Sequence, residues 1–473
     1  HDHAKLPAEI PQTGDRGIRL ADVVNGKNTL EEFTAQLTDY DLSCIIRGEG
    51  MGSPKVTAGT AAAFGGVSDT LTALGIPCAC CDDGPSGMRL DCGTKAFSLP
   101  NGTLLASTFD RPLMTELFTF MGLEMHTNQV DCLLGPGMNI HRHPLNGRNF
   151  EYFSEDPYLT GEMASAELAG LHSTGAEGTI KHFCGNNRET RRHFLDSVIS
   201  ERALREIYLR GFENAVKKGG AKSVMTTYGQ VNGVWTAGNY DLVTGILRDD
   251  WGFDGFTMTD WWANINRRGK APDKSDFAAM AMAQNDVYMV TADGAACNDN
   301  TLDSLKSGEL TRGELQRNAM NILRFLTTTH AMKRVMGCDD ETEIINRPAD
   351  AGDVDSTDIE FHDIDEDLTL DLTGITTEKG SSYAFGLNVS KPGVYKVTLT
   401  ASSTLSELAQ TSVSIFALGS PCGMFTFNGT GGAPVSQTKD VKCLSNFMPI
   451  RLYFGGSGLK TQSIRFELKE RWT

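Results

Sequence analysis

Short apolar runs alternate with longer amphipathic stretches along most of the chain, and the runs end in polar or charged residues. The runs DCLLGPGMNI, GTIKHF, AKSVMTTY, GFTMTDWW and DVYMVTAD predict strands, whereas SERALREIYLRGFENAVKKG and NYDLVTGILRDDWG predict helices. Alternation of strands and helices predicts an α/β fold with a mostly parallel sheet. A closed (β/α)8-type, TIM-like barrel fits this pattern, and an open doubly wound sheet fits it as well.

Three changes in texture divide the chain into predicted domains. The first residues are polar and dotted with Pro and Gly, and a helix follows them, with Thr29 and Glu32 spaced as a capping box. After the α/β region comes an acidic, turn-rich stretch, and then period-two alternation between Gly, Ser and Pro, which is typical of an all-β sandwich. The predicted domains are an N-terminal linker (1–28), a catalytic barrel (29–336), a second linker (337–356) and a C-terminal β-sandwich (357–473).

Composition and charge exclude several classes of protein. The 473 residues carry a net charge of -17, which argues against a nucleic-acid partner and fits a neutral substrate. No apolar run reaches the roughly 20 residues that a membrane span needs. Eleven cysteines are scattered along the chain, and Cys78, Cys80 and Cys81 have no matching Cys or His pair at zinc spacing. Buried free thiols are the preferred interpretation, which favours a reducing, cytoplasmic location, with secretion as the alternative.

Asp260 is the first candidate for chemistry, because it ends the apolar run GFTMTDWW and is followed by two tryptophans. Glycoside hydrolysis needs two carboxyl groups beside the bond, and indole faces such as that of Trp261 can stack on a sugar ring. The alternative is an aspartate that caps a helix after the strand.

Other polar residues lie at similar positions, each with a structural alternative. Lys181 and His182 end GTIKHF and are hydroxyl ligands, or else a surface charge and a satisfied core histidine. Arg148 is a hydroxyl clamp, or a loop salt bridge with Glu151. The remaining candidates are Asp83, which either binds substrate or only organises the Gly-Pro turn on which it lies, and Tyr228, for which the alternative is a core aromatic with a satisfied hydroxyl.

The order of the motifs along the chain indicates the function more specifically than any single motif does. DGPSGMR, LGPGMNIHRHPLNGRNFEYFSEDP, KHFCGNNRETRR, SERALREIYLRGFENAV, MTTYGQVNG and GFTMTDWW occur in this sequence from about residue 30 to 335. Together they closely resemble the barrel domain of glycoside hydrolase family 3, and especially its β-glucosidases. The resemblance implies a retaining exo-hydrolase that releases terminal β-D-glucosyl residues from β-glucosides or short gluco-oligosaccharides, as in cellulose degradation, without a cofactor or metal.

The resemblance also implies a role for each candidate residue. Asp260 matches the nucleophile that attacks the anomeric carbon, and nearby donors would keep it ionised. Tyr228 packs near the nucleophile. The positions that match the family's sugar-binding residues are Asp83 as acceptor and Arg148, Lys181 and His182 as donors, with Trp261 beside the substrate.

Three departures from the family pattern limit what is implied. Gly229 replaces the usual Asn, Thr259 replaces the commoner Ser, and an α/β sandwich that supplies the acid/base Glu is not recognisable after the barrel. KHFCGNN lacks the second histidine of the family's N-acetylglucosaminidases, which argues against that activity, and resembles the K-H-F-x-x-N-N form of its β-glucosidases. We therefore expect the reversed domain order, with the sandwich upstream on a missing domain or second chain, and we assign no acid/base residue here.

Alternative functions remain open at this point. A β-xylosidase or another exo-glycosidase of the same family fits most motifs, although Asp83 favours a hexose. A non-catalytic, carbohydrate-binding barrel is the alternative from another class. The C-terminal sandwich either binds carbohydrate or serves as a structural or partner-binding domain, and a homo-oligomer is compatible with the sequence.

Overall fold

The computed structural model describes residues 6–50, 53, 55–57, 59–90, 96–267, 269–342, 359–417, 420–443 and 445–471. The chain forms two compact units, of which the first holds the α/β region and the second holds the C-terminal β region with the short stretches 50–61 and 89–96. Most of the predicted linker 337–356, from residue 343 onward, lies outside the described residues, as do residues 1–5 of the first linker. Among the described residues, none of the helices is both long and apolar enough to cross a membrane.

A barrel-like sheet of eight strands forms the centre of the first unit. Its strands follow the order β10-β7-β5-β4-β3-β2-β1-β11, and a parallel bridge between Met258 and Val287 links the two ends of this order. Three short strands, β6, β8 and β9, form a separate small sheet. The strands of this unit are β1 (Arg47–Gly50), β2 (Ala62–Gly65), β3 (Cys78–Asp82), β4 (Cys132–Leu133), β5 (Glu177–Phe183), β6 (Asp196–Ser197), β7 (Ser223–Thr226), β8 (Gln230–Val231), β9 (Val234–Trp235), β10 (Phe256–Met258) and β11 (Tyr288–Thr291).

One strand pair departs from the regular parallel pattern. β2 runs antiparallel to β3, with Ala62 opposite Cys81 and Gly65 opposite Cys78. The connection between these two strands, residues 66–77, contains the short helix Asp69–Ala73. Gly66 allows the two ends of this connection to approach closely, because a Cβ atom there would lie 2.2 Å from the carbonyl oxygen of Ile76.

Helices surround the sheet, and their starts follow the local sequence. The capping box predicted at Thr29 is confirmed: its side chain accepts a hydrogen bond from the Glu32 amide at 3.1 Å, and Glu32 Oε2 accepts one from the Thr29 amide at 2.9 Å. The α-helices are α1 (Leu20–Val24), α2 (Leu30–Ala35), α3 (Asp39–Ile45), α4 (Asp69–Ala73), α5 (Gly102–Ala106), α6 (Arg111–Thr127), α7 (Pro157–His172), α8 (Glu201–Ala203), α9 (Arg210–Lys217), α10 (Phe277–Met282), α11 (Thr301–Ser307), α12 (Arg312–Leu326) and α13 (His330–Met336).

Two segments that the sequence predicts as helices are wound as π-helix, at Leu204–Tyr208 and Asp241–Asp250, and Thr236–Gly238 forms a 3-10 turn. Helix α1 lies inside the stretch 1–28, which the sequence predicts as a linker. It folds there because Leu20 finds a fully buried position on the first unit.

An aromatic cluster fills part of the barrel-like unit. The ring centroids of Phe64 and Phe256 lie 4.6 Å apart, and Phe325 on α12 lies 4.6 Å from Phe256. These contacts join β2, β10 and a covering helix, so the sheet and its helices share one core.

The second unit consists of two sheets around a common hydrophobic core. A five-stranded sheet has the order β12-β14-β19-β16-β17, and a four-stranded sheet has the order β13-β20-β15-β18. Inward positions alternate with outward ones, as in Gly393–Ser403, where Tyr395, Val397 and Leu399 are buried. The strands are β12 (Phe361–Ile364), β13 (Asp367–Asp371), β14 (Ser382–Val389), β15 (Gly393–Ser403), β16 (Gln410–Ala417), β17 (Ser420–Asn428), β18 (Val435–Cys443), β19 (Phe447–Phe454) and β20 (Leu459–Arg471).

Candidate active site

Neighbouring strands of the barrel-like sheet carry most of the predicted site residues at or just beyond their carboxyl ends. Such an edge is where barrel enzymes place their active sites, since loops from several strands converge there. β3 is followed by Asp83, β4 leads into the loop that holds Arg148, β5 contains Lys181 and His182 near its end, β7 is followed by Tyr228, and β10 by Asp260 and Trp261.

Asp260 is buried, with 7% of the residue exposed. Its Oδ1 accepts a hydrogen bond from the backbone N–H of Trp261 at 2.8 Å. Its Oδ2 is buried and has no hydrogen-bond partner within the part of the chain that the structure describes. No described helix begins between residues 261 and 276, so the helix-cap alternative does not account for this aspartate.

A chain of polar contacts connects Arg148 to Asp260. Nη2 of Arg148 donates to Glu151 Oε1 at 2.6 Å and lies 3.1 Å from Nε2 of His182. Nε2 of His182 is in turn 3.6 Å from Oδ2 of Asp260. Arg148 therefore makes the loop salt bridge that the sequence offered as an alternative, and it also reaches the interior of the site.

The contacts of His182 fix its tautomer. A guanidinium only donates hydrogen bonds, so Nε2 accepts one from Arg148 and carries no proton. Burial, with further contributions from Arg148, Lys181 and Arg192, holds the pKa of His182 well below its usual value, so the ring is neutral. The single ring proton is on Nδ1, which lies 3.1 Å from the hydroxyl of the fully buried Tyr152.

This tautomer bears on the donor role that the family resemblance implies for His182. With its proton directed to Tyr152, the ring presents a lone pair at Nε2. Asn139 holds the backbone on both sides: its Oδ1 accepts from the His182 amide at 2.9 Å, and its Nδ2 donates to the His182 carbonyl at 2.9 Å. A sugar hydroxyl that replaced Arg148 would donate to Nε2 rather than accept from it.

Lys181 and Asp83 form an ion pair. Nζ of Lys181 lies 2.8 Å from Oδ1 of Asp83, and the exposed fractions of the two side chains are 4% and 35%. Lys181 is therefore not the surface charge that the sequence left open as an alternative. The Asp83 side chain, in contrast, remains partly exposed to solvent.

Tyr228 lies beside Asp260. Burial and the negative charge of Asp260 raise the pKa of its hydroxyl, so the phenol stays protonated beside the carboxylate. Arg192 stacks on the Tyr228 ring at 4.6 Å, and the His193 ring is 4.0 Å away. Arg192 is held by Glu189, whose Oε2 accepts a hydrogen bond at 3.0 Å.

Two opposing effects act on the ionisation of Asp260. Burial raises its pKa, whereas Arg148, the Trp261 amide, Arg192 and Lys181 lower it. The sequence predicts that nearby donors keep Asp260 ionised; these groups do lower its pKa, but the net direction in the structure is upward, because desolvation is the largest effect. The charge of the carboxylate therefore depends on the surrounding cations.

Several neighbours of the site are not among the residues that the sequence singles out. Tyr152, Asn139, Asn186, Glu189 and Arg192 all lie within or beside the quoted motifs, and nothing in their spacing shows that they meet His182 or Tyr228. Trp261 contacts Asp260 through its backbone amide rather than through its indole.

The cysteine cluster of the sequence lies on one strand of the barrel-like sheet. Cys78, Cys80 and Cys81 are free thiols on β3, and Cys80 and Cys81 are buried. Within the described ranges, the side chains close enough together to share an ion are His126, His330 and Asp339, which belong to other elements.

Comparisons with known proteins agree with the ordered motifs. Residues 15–325 match the glycosyl hydrolase family 3 N terminal domain. A protein from Ruminococcus albus described as a beta-glucosidase is 62% identical over 99% of this chain and 51% of its own length. The crystal structure of a beta-glucosidase from Paenibacillus barengoltzii is 46% identical, with a TM-score of 0.69 over 98% of this chain and 50% of that one. Beta-glucosidase 3B from Thermotoga neapolitana, solved in complex with glucose, is 37% identical, with a TM-score of 0.60 over 66% of this chain and 44% of that one.

The chain thus spans about half the length of the first curated relative and of the first solved structure that it matches. The family match covers most of the first unit, including all seven predicted site residues. The resemblance that the order of the motifs indicates is thereby confirmed: this chain belongs to glycosyl hydrolase family 3.

Proposed function

We propose that this chain carries the sugar-binding barrel and the nucleophile of a retaining β-glucosidase. The observation that carries the proposal is the environment of Asp260: one oxygen is fixed by a backbone amide, and the other, Oδ2, is buried without a hydrogen-bond partner among the described residues. A nucleophilic carboxylate needs one oxygen held and one lone pair available for the anomeric carbon. Closure of the eight-stranded sheet into a (β/α)8-type barrel, with an all-β sandwich after it, belongs to this proposal.

The surrounding groups suit the charge changes of a double displacement. Attack by Asp260 forms a covalent glycosyl ester and passes through an oxocarbenium-like transition state. Lys181 and Arg148 place cationic donors near the carboxylate, and Tyr228 adds a hydroxyl that stays protonated. Asp83 and Lys181 together offer an acceptor and a donor to neighbouring sugar hydroxyls. Trp261 would face the substrate.

The acid/base glutamate belongs to a part of the enzyme that this chain does not contain. Supporting this, the first curated relative is about twice as long. Two glutamates beside the site are engaged in ion pairs, Glu151 with Arg148 at 2.6 Å and Glu189 with Arg192 at 3.0 Å. The α/β sandwich that supplies this glutamate would be an upstream domain or a partner chain. Together with it, this chain would hydrolyse β-glucosides or short gluco-oligosaccharides.

The test is covalent trapping with an activated aryl 2-deoxy-2-fluoro-β-glucoside, followed by mass mapping of the labelled peptide. An activated leaving group departs without general-acid help, so the chain can be tested alone. We expect one label, on the peptide that contains Asp260, and none in Asp260→Asn. The matched control is Glu151→Gln, which should still be labelled at Asp260.

Different outcomes separate the alternatives. Label with the corresponding xyloside but not with the glucoside would identify a β-xylosidase instead. Label on a different carboxylate would refute the assignment of the nucleophile. Absence of label with both sugars, also after addition of the upstream domain of a matched relative, would leave a carbohydrate-binding barrel as the function.

A further inference from the structure

Two histidines and one aspartate meet in the first unit, on elements that take no part in the proposed catalytic site. His126 lies near the end of α6, His330 is the first residue of α13, and Asp339 follows α13. Their side chains are largely buried, with exposed fractions of 9%, 5% and 13%. The two imidazole rings stack with centroids 3.9 Å apart, and one ligand atom from each residue lies within 4.8 Å of the other two.

The contacts of His330 require a positive charge between its ring and Asp339. Nε2 lies 2.7 Å from the carbonyl oxygen of Thr174, which can only accept, so Nε2 carries a hydrogen. Nδ1 lies 2.6 Å from Oδ1 of Asp339. In a neutral ring protonated at Nε2, the lone pair of Nδ1 would face the lone pairs of the carboxylate at this distance. Either a proton or a metal ion must therefore lie between the two atoms.

His126 approaches the same carboxylate from the other side. Its Nε2 is 3.1 Å from Oδ2 of Asp339, and its Nδ1 is 2.6 Å from the hydroxyl of Thr342, which can donate or accept. Each ring thus presents one nitrogen to Asp339 and has its second nitrogen anchored by an oxygen. Histidine ligands of metals are oriented in this way, by an outer hydrogen bond from the second ring nitrogen.

We propose that His330 Nδ1, His126 Nε2 and a carboxylate oxygen of Asp339 bind a divalent transition-metal ion, with zinc as the best-fitting class. Imidazole nitrogen and carboxylate oxygen are common zinc ligands, at about 2.0–2.2 Å. Tetrahedral coordination places ligand atoms about 3.3 Å apart. The present nitrogen–oxygen separations, 2.6 Å to Oδ1 and 3.1 Å to Oδ2 of Asp339, would open by less than about 1 Å. The two imidazole nitrogens, which lie within 4.8 Å of each other, would come to about 3.3 Å, and the stacked rings would turn so that both lone pairs point at the ion. Water would complete the coordination.

Metal binding and proton binding exclude each other at this position. The entering ion takes the place of the proton between Nδ1 of His330 and Asp339, and that proton leaves to solvent. On His126, Nε2 carries the ring proton before the ion enters, because it faces Oδ2 of Asp339. On metal binding this proton moves by way of solvent to Nδ1, where it donates to Thr342, and the lone pair of Nε2 ligates the ion. The net change is one proton released to solvent, and no redox change is involved.

Arg334 limits the affinity that we expect. One of its nitrogens lies 3.6 Å from Oδ2 of Asp339, and another lies 3.3 Å from Oδ2 of Asp131. Its positive charge opposes the ion, so we expect micromolar rather than nanomolar binding. Because the ligands come from α6, α13 and the chain after α13, the ion would hold that segment to α6 and raise the thermal unfolding temperature of this unit.

The experiment measures zinc binding by the 473-residue chain without a polyhistidine tag, by competition with a chromophoric chelator. His1 and His3, which lie outside the described residues, are changed to Gln in every sample. We expect one zinc ion per chain with micromolar affinity, and Co²⁺ should give the visible absorption of a four-coordinate site. His330→Gln and His126→Gln should each weaken binding at least about tenfold.

Two control variants separate this site from other zinc ligands. His172 pairs with Glu177 at 2.9 Å and does not belong to the group of possible ion ligands found among the described residues, so His172→Gln should bind zinc as the parent chain does. Cys338 is an exposed thiol next to Asp339, and Cys338→Ser should also retain binding. Loss of binding in Cys338→Ser but not in His330→Gln would overturn the proposal.

A check of folding separates loss of zinc binding from loss of structure in the variants. Each variant is checked by circular dichroism, and Asp339→Asn serves as a second ligand variant if a histidine variant fails to fold. Zinc should raise the unfolding temperature of the parent chain and of His172→Gln, but not that of the ligand variants. No binding tighter than about 1 mM by the folded parent chain would mean that a proton alone occupies the position, and would overturn the proposal.

Discussion

Removal of the Tyr152 hydroxyl should disturb the site through the tautomer of His182. The hydroxyl is fully buried and makes two contacts, to Nδ1 of His182 at 3.1 Å and to Nδ2 of Asn186 at 3.0 Å. In Tyr152→Phe, Asn186 keeps its hydrogen bond to Glu189 at 2.9 Å. The ring proton of His182 is left with only the oxygen of Asn139 as a partner within reach, at 3.4 Å.

The expected magnitude follows from that one weakened partner. A buried donor that loses its acceptor costs about 1–3 kcal/mol. We expect a loss of about 1–2 kcal/mol in the free energy of unfolding, because Asn139 compensates in part. If the disordered His182 raises the activation free energy of trapping by about 1.4 kcal/mol, the rate of covalent trapping by the 2-fluoro glucoside falls tenfold.

The assay combines trapping kinetics with the ¹⁵N chemical shifts of histidine side chains. The parent chain should show His182 protonated at Nδ1, and Tyr152→Phe should show a mixture of the two tautomers. The control is Tyr208→Phe, since Tyr208 lies in the same unit and its hydroxyl contacts Arg142 rather than the site. Trapping within twofold of the parent rate, together with unchanged ¹⁵N shifts, would refute the assignment of this hydroxyl.

Three further predictions follow from the same contacts. Arg192→Gln removes a cation that lowers the pKa of Asp260, and the nucleophile must be ionised, so the acid limb of the pH profile of the trapping rate should move to higher pH. The control Arg142→Gln should leave this limb unchanged. An unshifted limb in Arg192→Gln would contradict the electrostatic account. Asp83→Asn and Lys181→Met should each slow trapping about 100-fold. Because the two residues act as one ion pair, the double variant should also lose only about 100-fold in trapping rate. Additive losses in the double variant would show that the two residues act separately. Phe64→Ala should lower the free energy of unfolding, measured with urea, by about 3–5 kcal/mol, because Phe64 is buried in the aromatic cluster. Phe120 is exposed, so Phe120→Ala should lower it only a little. Similar losses in both variants would argue against the aromatic core.

Much of the fold could be predicted from the sequence, because several strands are apolar and end in polar residues. β7, β10 and β11 fall within runs that the pattern identifies, and β5 begins one residue before its run. β1 could not be found in this way: its sequence is RGEG, and Arg47 is buried because its guanidinium pairs with Asp299 at 2.7 Å, more than 250 residues away along the chain. Hydrophobic periodicity carries no signal for such a strand.

In the candidate site, too, some features could be predicted from the sequence and others could not. Strand ends and motif order single out Asp260, Lys181 and His182, because each stands at a fixed place in its own segment. The tautomer of His182 was not predictable, since it depends on Arg148 and Tyr152, which a different loop brings to the ring. The ionisation of Asp260 likewise depends on how deeply it is buried, and sequence shows burial of a single carboxylate only poorly.

The most direct test of Asp260 as the nucleophile is rescue by an external nucleophile. Asp260→Gly is incubated with 2,4-dinitrophenyl β-glucoside and azide, and the product is identified by ¹H NMR. If Asp260 attacks the anomeric carbon, azide occupies the space of the lost carboxylate, and the rate should recover with α-glucosyl azide as product. Full activity of Asp260→Gly without azide, or formation of β-glucosyl azide in its presence, would contradict the account.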